Sequence, residues 1–314
     1  MALDRGILRI CPMGITRQPR ASYLPFGARP NLTQSGCASR IGASKMQRSR
    51  FRLAVSWRRF IISPLRFVAP LWMIMFAVLL ASASGAENRG PCRPVTHERN
   101  SYVFCQFDLR QYMPKLFWKQ PNGEPYGSLK NIPQRDGTNN GQLVFATNGG
   151  MYRSDRSPLG LYVENGRELV RENTATGAGN FYIKPNGIFY VSGDSASILE
   201  TRHFLKQRPL VDIATQSGPM LVINGAINTK FLPSSNSRKF RNGVGIQDSH
   251  RVVFAISNGI VTFNEFAKFF RDLLHCSNAL YLDGTISSIY APSIQRADYL
   301  WPLGPIIGVY TRSD

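Results

Sequence analysis

From Ser101 onward the chain is a succession of short runs in which apolar and polar residues alternate. They read "SYVFCQFDL", "QLVFATN", "LGLYVENG", "NFYIKPNGIFYVSG", "GPMLVING" and "RVVFAISNGIVTF". Alternation with period two sends one set of side chains to each face of a strand, so these runs predict β-strands packed on a core. Several are punctuated by Asn-Gly, at Asn165-Gly166, Asn186-Gly187, Asn224-Gly225 and Asn258-Gly259. Both central positions of a tight hairpin turn need positive φ, which these residues accept, so each pair predicts a hairpin. The expected sheet is therefore largely antiparallel.

The period changes in "VTFNEFAKFFRDLLHCSNALYLDG". Phe266, Phe269, Phe270, Leu273 and Leu274 recur at helical spacing and predict one apolar face. Thr262 and Glu265 have the spacing of a capping box, and Val261 can staple onto Phe266. This helix covers the sheet and delivers the chain into a buried strand, Ala279 to Leu282, that ends at Asp283. The fold class expected is α+β: a single domain over residues 87–314, with a mixed, largely antiparallel β-sheet core covered by a few helices.

Charge changes the picture mainly at the N-terminus. The chain of 314 residues carries a formal charge of +19, of which residues 1–66 contribute +12. A basic excess so concentrated does not describe a nucleic-acid-binding surface on the domain. Arginines at 48, 50, 52, 58, 59 and 66 precede the apolar run "FVAPLWMIMFAVLLA" and then small residues, the layout of an export signal. Ala81-Ser82-Ala83 and Ser84-Gly85-Ala86 offer cleavage sites, an uncleaved anchor is the alternative, and Met46 makes the more ordinary start. The expectation is a basic extension and export signal over 1–86, a periplasmic or secreted domain, and membrane contact only through that N-terminal segment. An oxidising compartment permits a Cys92–Cys105 bridge ahead of the first strand and leaves Cys276 over, as a buried thiol. No C-x-x-C pair, histidine cluster or EF-hand spacing calls for a metal, and no cofactor is expected.

Four stretches share one design, a β-run bordered by small or polar residues that expose the backbone. They are "FATNGGMY", "ATQSGPMLV", "RNGVGI" and "LYLDGTISS". Glycine lets a ligand approach the main chain, and successive N–H groups can cradle an anion. Asp283 supplies a carboxylate and Arg241 a guanidinium. Asp155 and Asp248 are possible second carboxylates, and Tyr152, Tyr281 and Tyr290 possible sugar-stacking faces, Tyr152 above all. Lys230, Arg238 and Lys239, in the polar stretch Asn228 to Gly243, are either solvated or binding residues.

In this order, "NGGMY…PLGLYVENG", "QSGPMLV", "RNGVGI" and "ALYLDGTISS" resemble the phosphodiester glycosidase domain family, over roughly residues 95–312. The resemblance implies an exported hydrolase acting on a sugar whose anomeric carbon carries a phosphodiester. Thr285 stands where the family often has a second glycine. Such a substrate releases a phosphate monoester, which departs without the strong acid that an ordinary glycosidase supplies from paired carboxylates. What the site then needs is anion binding and one carboxylate near the anomeric carbon. The expected assignment makes Asp283 base or nucleophile and has Arg241 grip the phosphate. Asn148, Gly149, Gly150, Tyr152, Ser217, Gly218, Gly284 and Ser287 line the substrate. The partner is thus a sugar phosphodiester or anionic glycan, not nucleic acid. Two other readings stay open: a non-catalytic envelope protein binding glycan in the same pocket, and a phosphodiesterase cutting the other P–O bond.

Overall fold

In the computed structural model, which describes residues 90–312 apart from Asn139 and Thr285, the alternating runs become seventeen strands in three sheets. The export signal, the Met46 start and Thr285 lie outside the described residues. The largest sheet is built, in spatial order, from β1 (Cys92–His97), β2 (Asn100–Asp108), β13 (Arg251–Ser257), β12 (Asn242–Ile246), β14 (Asn278–Asp283), β10 (Met220–Ile223) and β11 (Ala226–Ile227). A second runs β16 (Arg296–Ala297), β15 (Ile289–Ala291), β4 (Leu143–Asn148), β17 (Ile306–Thr311) and β3 (Tyr112–Phe117). The third runs β6 (Arg167–Val170), β5 (Tyr162–Glu164), β9 (Ile213–Ser217), β7 (Gly187–Ser192) and β8 (Ser195–Glu200). Every pairing among these strands is antiparallel. With the short helices α1 (Thr201–Gln207) and α2 (Phe263–Lys268), the class is α+β, as expected.

All three sheets contribute to one core. Phe107, Phe254, Val244, Leu280 and Leu282 come from the first, Phe145 and Ile307 from the second, and Tyr162, Phe189 and Ile198 from the third. The opposite face of the first sheet packs under α2, where Ala279 and Tyr281 meet Phe266, Phe269 and Phe270. In β14 successive residues thus belong to different cores, as a strand's period of two requires. The capping box of α2 forms: Thr262 Oγ1 accepts from Glu265 N at 3.1 Å, and Thr262 N donates to Glu265 Oε2 at 2.8 Å. Tyr102 lies flat on Phe269, with centroids 4.0 Å apart.

Several expectations need correction. The helix ends in a π-turn, Phe269–Leu273, in which Leu274 N donates to Phe269 O. The wider turn breaks the 3.6-residue period and leaves Leu273 exposed rather than on the apolar face. Asn165-Gly166 and Asn224-Gly225 do turn hairpins with positive φ, but Asn186-Gly187 does not: Asn186 is buried and Gly187 opens β7. Asn258-Gly259 instead leaves β13 for the helix, with Asn258 N bonded to Ser101 O. The β1–β2 hairpin is turned by Glu98 and Arg99, at φ 44° and 71°, an unusual pair for such a turn. Cys92 and Cys105 are bridged, but across directly paired positions of β1 and β2 rather than ahead of the first strand. Cys276 is free and buried, and burial pushes its thiol up to about 12.

The glycines of "RNGVGI" serve packing, not ligand approach. A Cβ on Gly245 would stand 2.5 Å from Cys276 Sγ and 2.7 Å from the Phe270 ring, and one on Gly243 would meet Leu280 O at 2.8 Å. The helix therefore lies directly on the backbone of β12. Gly245→Ala is expected to destabilise the protein by about 1–3 kcal/mol through overpacking, read as a fall in the urea midpoint at unchanged slope.

Candidate functional site

The ends of β4, β9 and β14 and the start of β12 meet, and side-chain hydrogen bonds join them. The meeting point is the carboxamide of Asn242, which is buried. Its Nδ2 donates to Thr147 Oγ1 and to Asn148 Oδ1, each at 2.9 Å, and its Oδ1 accepts from Asp283 N at 2.9 Å. Asn148 Oδ1 also accepts from Ser288 N at 3.0 Å, and Ser217 Oγ donates to Leu282 O at 3.0 Å. Register between β12 and β14 shifts at this point: Asn242 faces Asp283 while Gly243 faces Tyr281, leaving Leu282 as the extra residue. Bulges of this kind re-aim the side chains beside them, and Asp283 sits at its end.

Asp283 is partly buried. Its Oδ1 accepts from Gly284 N at 2.6 Å, and burial, opposed by that bond, raises its pKa to about 6. Tyr152 and Tyr281 lie close enough that the carboxylate's charge adds to the burial that raises both phenols. The Tyr152 ring packs on Gly304 and its hydroxyl donates to Pro302 O at 2.9 Å. A Cβ on Gly284 would stand 2.5 Å from the Tyr281 hydroxyl, so only glycine lets the two meet. Ser287 Oγ donates to Gly284 O at 2.5 Å and closes the turn after Asp283.

The predicted residues therefore come together, but most are already engaged within the protein. Gly149 N donates to Pro305 O at 2.7 Å and Gly150 N to Thr215 Oγ1 at 3.2 Å, so neither amide points at a ligand. Gly150 sits where a side chain cannot, since a Cβ there would meet Gln216 O at 2.4 Å, and at Gly149 a Cβ would be tight against Pro305, 3.2 Å from its carbonyl oxygen. Asn148 and Ser217 are fully buried, and Gly218 packs on Asn186. Arg241 departs furthest from expectation. It has no exposed surface; Nε donates to Val261 O and Nη2 to Ser237 O, while its guanidinium lies 3.6 Å over the Phe263 ring. A fork used in this way is not presented for a bidentate grip on phosphate. Nη1 makes no hydrogen bond, the Tyr281 ring centroid is 5.4 Å from Cζ, and burial lowers the guanidinium's pKa.

The remaining candidates fall outside the site. Asp155 accepts from Ser157 N and Oγ, and Asp248 accepts from His250 N and pairs with Arg251, both as turn caps. Arg238 pairs with Glu265, and the Lys239 backbone bridges to Val261. Tyr290 reaches Gln134 at 3.3 Å. Two residues that organise the site were not singled out from sequence. Asn242 was hidden in an Asn-Gly pair that looks like a turn. Gln216, whose carboxamide is bonded to Leu161, Asn173 and Thr201, stood beside the serine that drew the reading. Among the described residues no cluster of His, Cys, Asp and Glu could hold a metal ion, and no helix is long and apolar enough to cross a membrane.

Comparison with known proteins adds the family. The phosphodiester glycosidase family model matches residues 141–310. The uncharacterized Escherichia coli (strain K12) protein YigE is 44% identical over 176 residues, covering 56% of this chain and 68% of its own length. Among solved structures, the catalytic domain of zebrafish N-acetylglucosamine-1-phosphodiester α-N-acetylglucosaminidase, auto-inhibited by its pro-peptide, is similar at a TM-score of 0.47 and 15% identity. That match covers 73% of this chain and 85% of the other. A hypothetical protein from Synechocystis is similar at 0.44 and 13% identity, covering 70% and 61%. On the strength of the first two matches, the chain belongs to the phosphodiester glycosidase family, a family of hydrolases.

Proposed function

We propose that the protein hydrolyses the glycosidic bond of a sugar-1-phosphodiester outside the cytoplasm, with Asp283 as nucleophile or general base. The observation that carries this reading is one partly buried carboxylate, raised to about 6, where the four glycine- and polar-rich motifs meet. At neutral pH such a group is mostly ionised and still basic enough to take a proton or attack a carbon. In the reaction the bond from the anomeric carbon to the phosphate oxygen breaks, and the oxygen leaves with its electron pair as a phosphate monoester. As base, Asp283 takes a proton from the water whose oxygen joins the anomeric carbon. As nucleophile, it first forms a glycosyl ester that water then cleaves. The leaving group is weakly basic, which accounts for a site built on one carboxylate rather than two.

In this mechanism Tyr152 offers a face to the sugar, and Gly284 and Ser287 shape the turn that holds Asp283. Arg241 acts through Tyr281 and Phe263, as a positioning residue and not as a ligand clamp. The Cys92–Cys105 bridge supports an oxidising compartment. The scarcity of an acid/base pair is what favours the competing reading, a glycan-binding protein without turnover. Hydrolysis of a glycosyl phosphodiester separates the two. In water enriched in heavy oxygen, label entering the sugar supports glycosidic cleavage, whereas label in the phosphate would assign the protein as a phosphodiesterase.

Asp283→Asn is expected to lower turnover by about 10²–10⁴-fold while leaving the circular dichroism spectrum unchanged. In the wild type kcat/KM should rise through about pH 6 and level off above it. Because the native pKa lies above the unfolded one, the folded state holds its proton more tightly. The carboxylate therefore costs stability as pH rises from 4 through 6. Asp283→Asn should accordingly be more stable than wild type at pH 8, on the order of 2 kcal/mol, and gain nothing at pH 4, as thermal melts would show. Asn242→Ala should cost about 2–4 kcal/mol by stranding Asn148, Thr147 and the Asp283 amide. It should also lower activity in the fraction that remains folded.

A further inference from the structure

A cavity of about 440 Å³ opens between the Lys184–Asn186 turn and the start of α1. Its floor is polar, rigid and fully bonded. Asn186 Nδ2 donates to Phe181 O at 3.2 Å, Asn186 Oδ1 accepts from Thr201 Oγ1 at 3.0 Å, and Thr201 Oγ1 accepts in turn from Gln216 Nε2 at 3.2 Å. Its walls carry two cations, Lys184 and Arg202, that make no hydrogen bond or ion pair among the described residues. Glu200 is the carboxylate beside them, and it is engaged at the helix, where its Oε2 accepts from His203 N at 3.1 Å. Burial presses the Lys184 ammonium downward; Glu200 pulls it back, and the Arg202 charge adds a smaller push in the same direction as burial. Two cations thus face the space against one carboxylate, itself bonded at the helix, and this leaves the lining net positive and favourable to an entering anion.

The cavity adjoins the Asp283 site. Asn186 lines it and also abuts Gly218, where a Cβ would stand 2.6 Å from Asn186 Cβ. Gly218 follows Ser217, whose hydroxyl holds Leu282 O. On the far side of the same turn, Asn180 lies close enough to the Tyr281 phenol to lower its pKa. One layer of residues therefore separates the two places.

We infer that the Lys184–Arg202 cavity is a subsite for a second anionic group of the substrate, a phosphate or carboxylate one unit away from the bond cleaved at Asp283. The substrate class is then a repeating anionic glycan rather than a small sugar phosphodiester. This inference rests on the proposed hydrolase reading, and the test keeps the two apart. The double variant Lys184→Gln/Arg202→Gln is compared with wild type on two substrates. One is a hexosyl 1-(methyl phosphate); the other is a tetramer of hexoses joined by phosphodiesters. The expected result is a loss of about tenfold or more in kcat/KM on the tetramer and under about twofold on the monomer, with recovery in Lys184→Arg/Arg202→Lys. An equal loss on both substrates, or none on the tetramer, overturns the subsite. Should wild type cleave neither substrate, the hydrolase reading fails. The inference is then decided by calorimetric binding of the tetramer, which must weaken about tenfold in the double variant; equal affinity sinks it.

Discussion

The carboxamide of Asn242 joins two sheets that share no backbone ladder at this point. Its nitrogen serves the end of β4 and its oxygen serves the end of β14, so a strand of the second sheet is held against a strand of the first through one planar group. The exchange is nearly complete, since Asn148 uses its own oxygen to hold Ser288 and so fixes the chain leaving the Asp283 turn. A buried amide of this type is costly when partnerless and specific when satisfied. The placement of Asp283 follows from it: the carboxamide that reaches across the seam to Thr147 and Asn148 also holds the acid's own amide within the first sheet.

The acid itself is a local departure from what folding alone would select. A partly buried carboxylate with one hydrogen bond bears a desolvation cost that its neighbours do not relieve, and the two phenols beside it add no positive charge. The guanidinium of Arg241, expected to face this site, spends donors on main-chain carbonyls and its face on Phe263. Charge compensation is therefore left to whatever enters the site. An unusual proton affinity in a place formed by distant segments is the pattern associated with catalytic groups.

How much of this could be read from sequence depends on the range of the interaction involved. Local features came through: the Thr262–Glu265 capping box and two Asn-Gly hairpins follow from spacing and chain chemistry, whereas the meeting of the four distant motifs was expected only from the family resemblance. Features that depend on a neighbour from elsewhere did not. Gly149, Gly150, Gly243 and Gly245 looked like openings for a ligand, yet each lies against a group distant in sequence, namely Pro305, Gln216, Leu280 and Phe270. Arg241 looked like an anion clamp because a sequence does not show that Val261 and Ser237 carbonyls will surround it. Leu273 fell off the helix face because a π-turn shifts the phase, and nothing in the run "FFRDLL" announces that insertion.

The seating of α2 on bare strand backbone carries a consequence for how this chain can vary. Phe270 occupies the room that two missing side chains vacate, so positions 245 and 270 form a lock whose parts have complementary sizes. Drift at either place alone jams or empties the joint. Neutral divergence should proceed only by reciprocal exchange, a bulkier strand residue arriving together with a slimmer ring substitute, and relatives should display that covariation long after their surfaces have lost common ancestry.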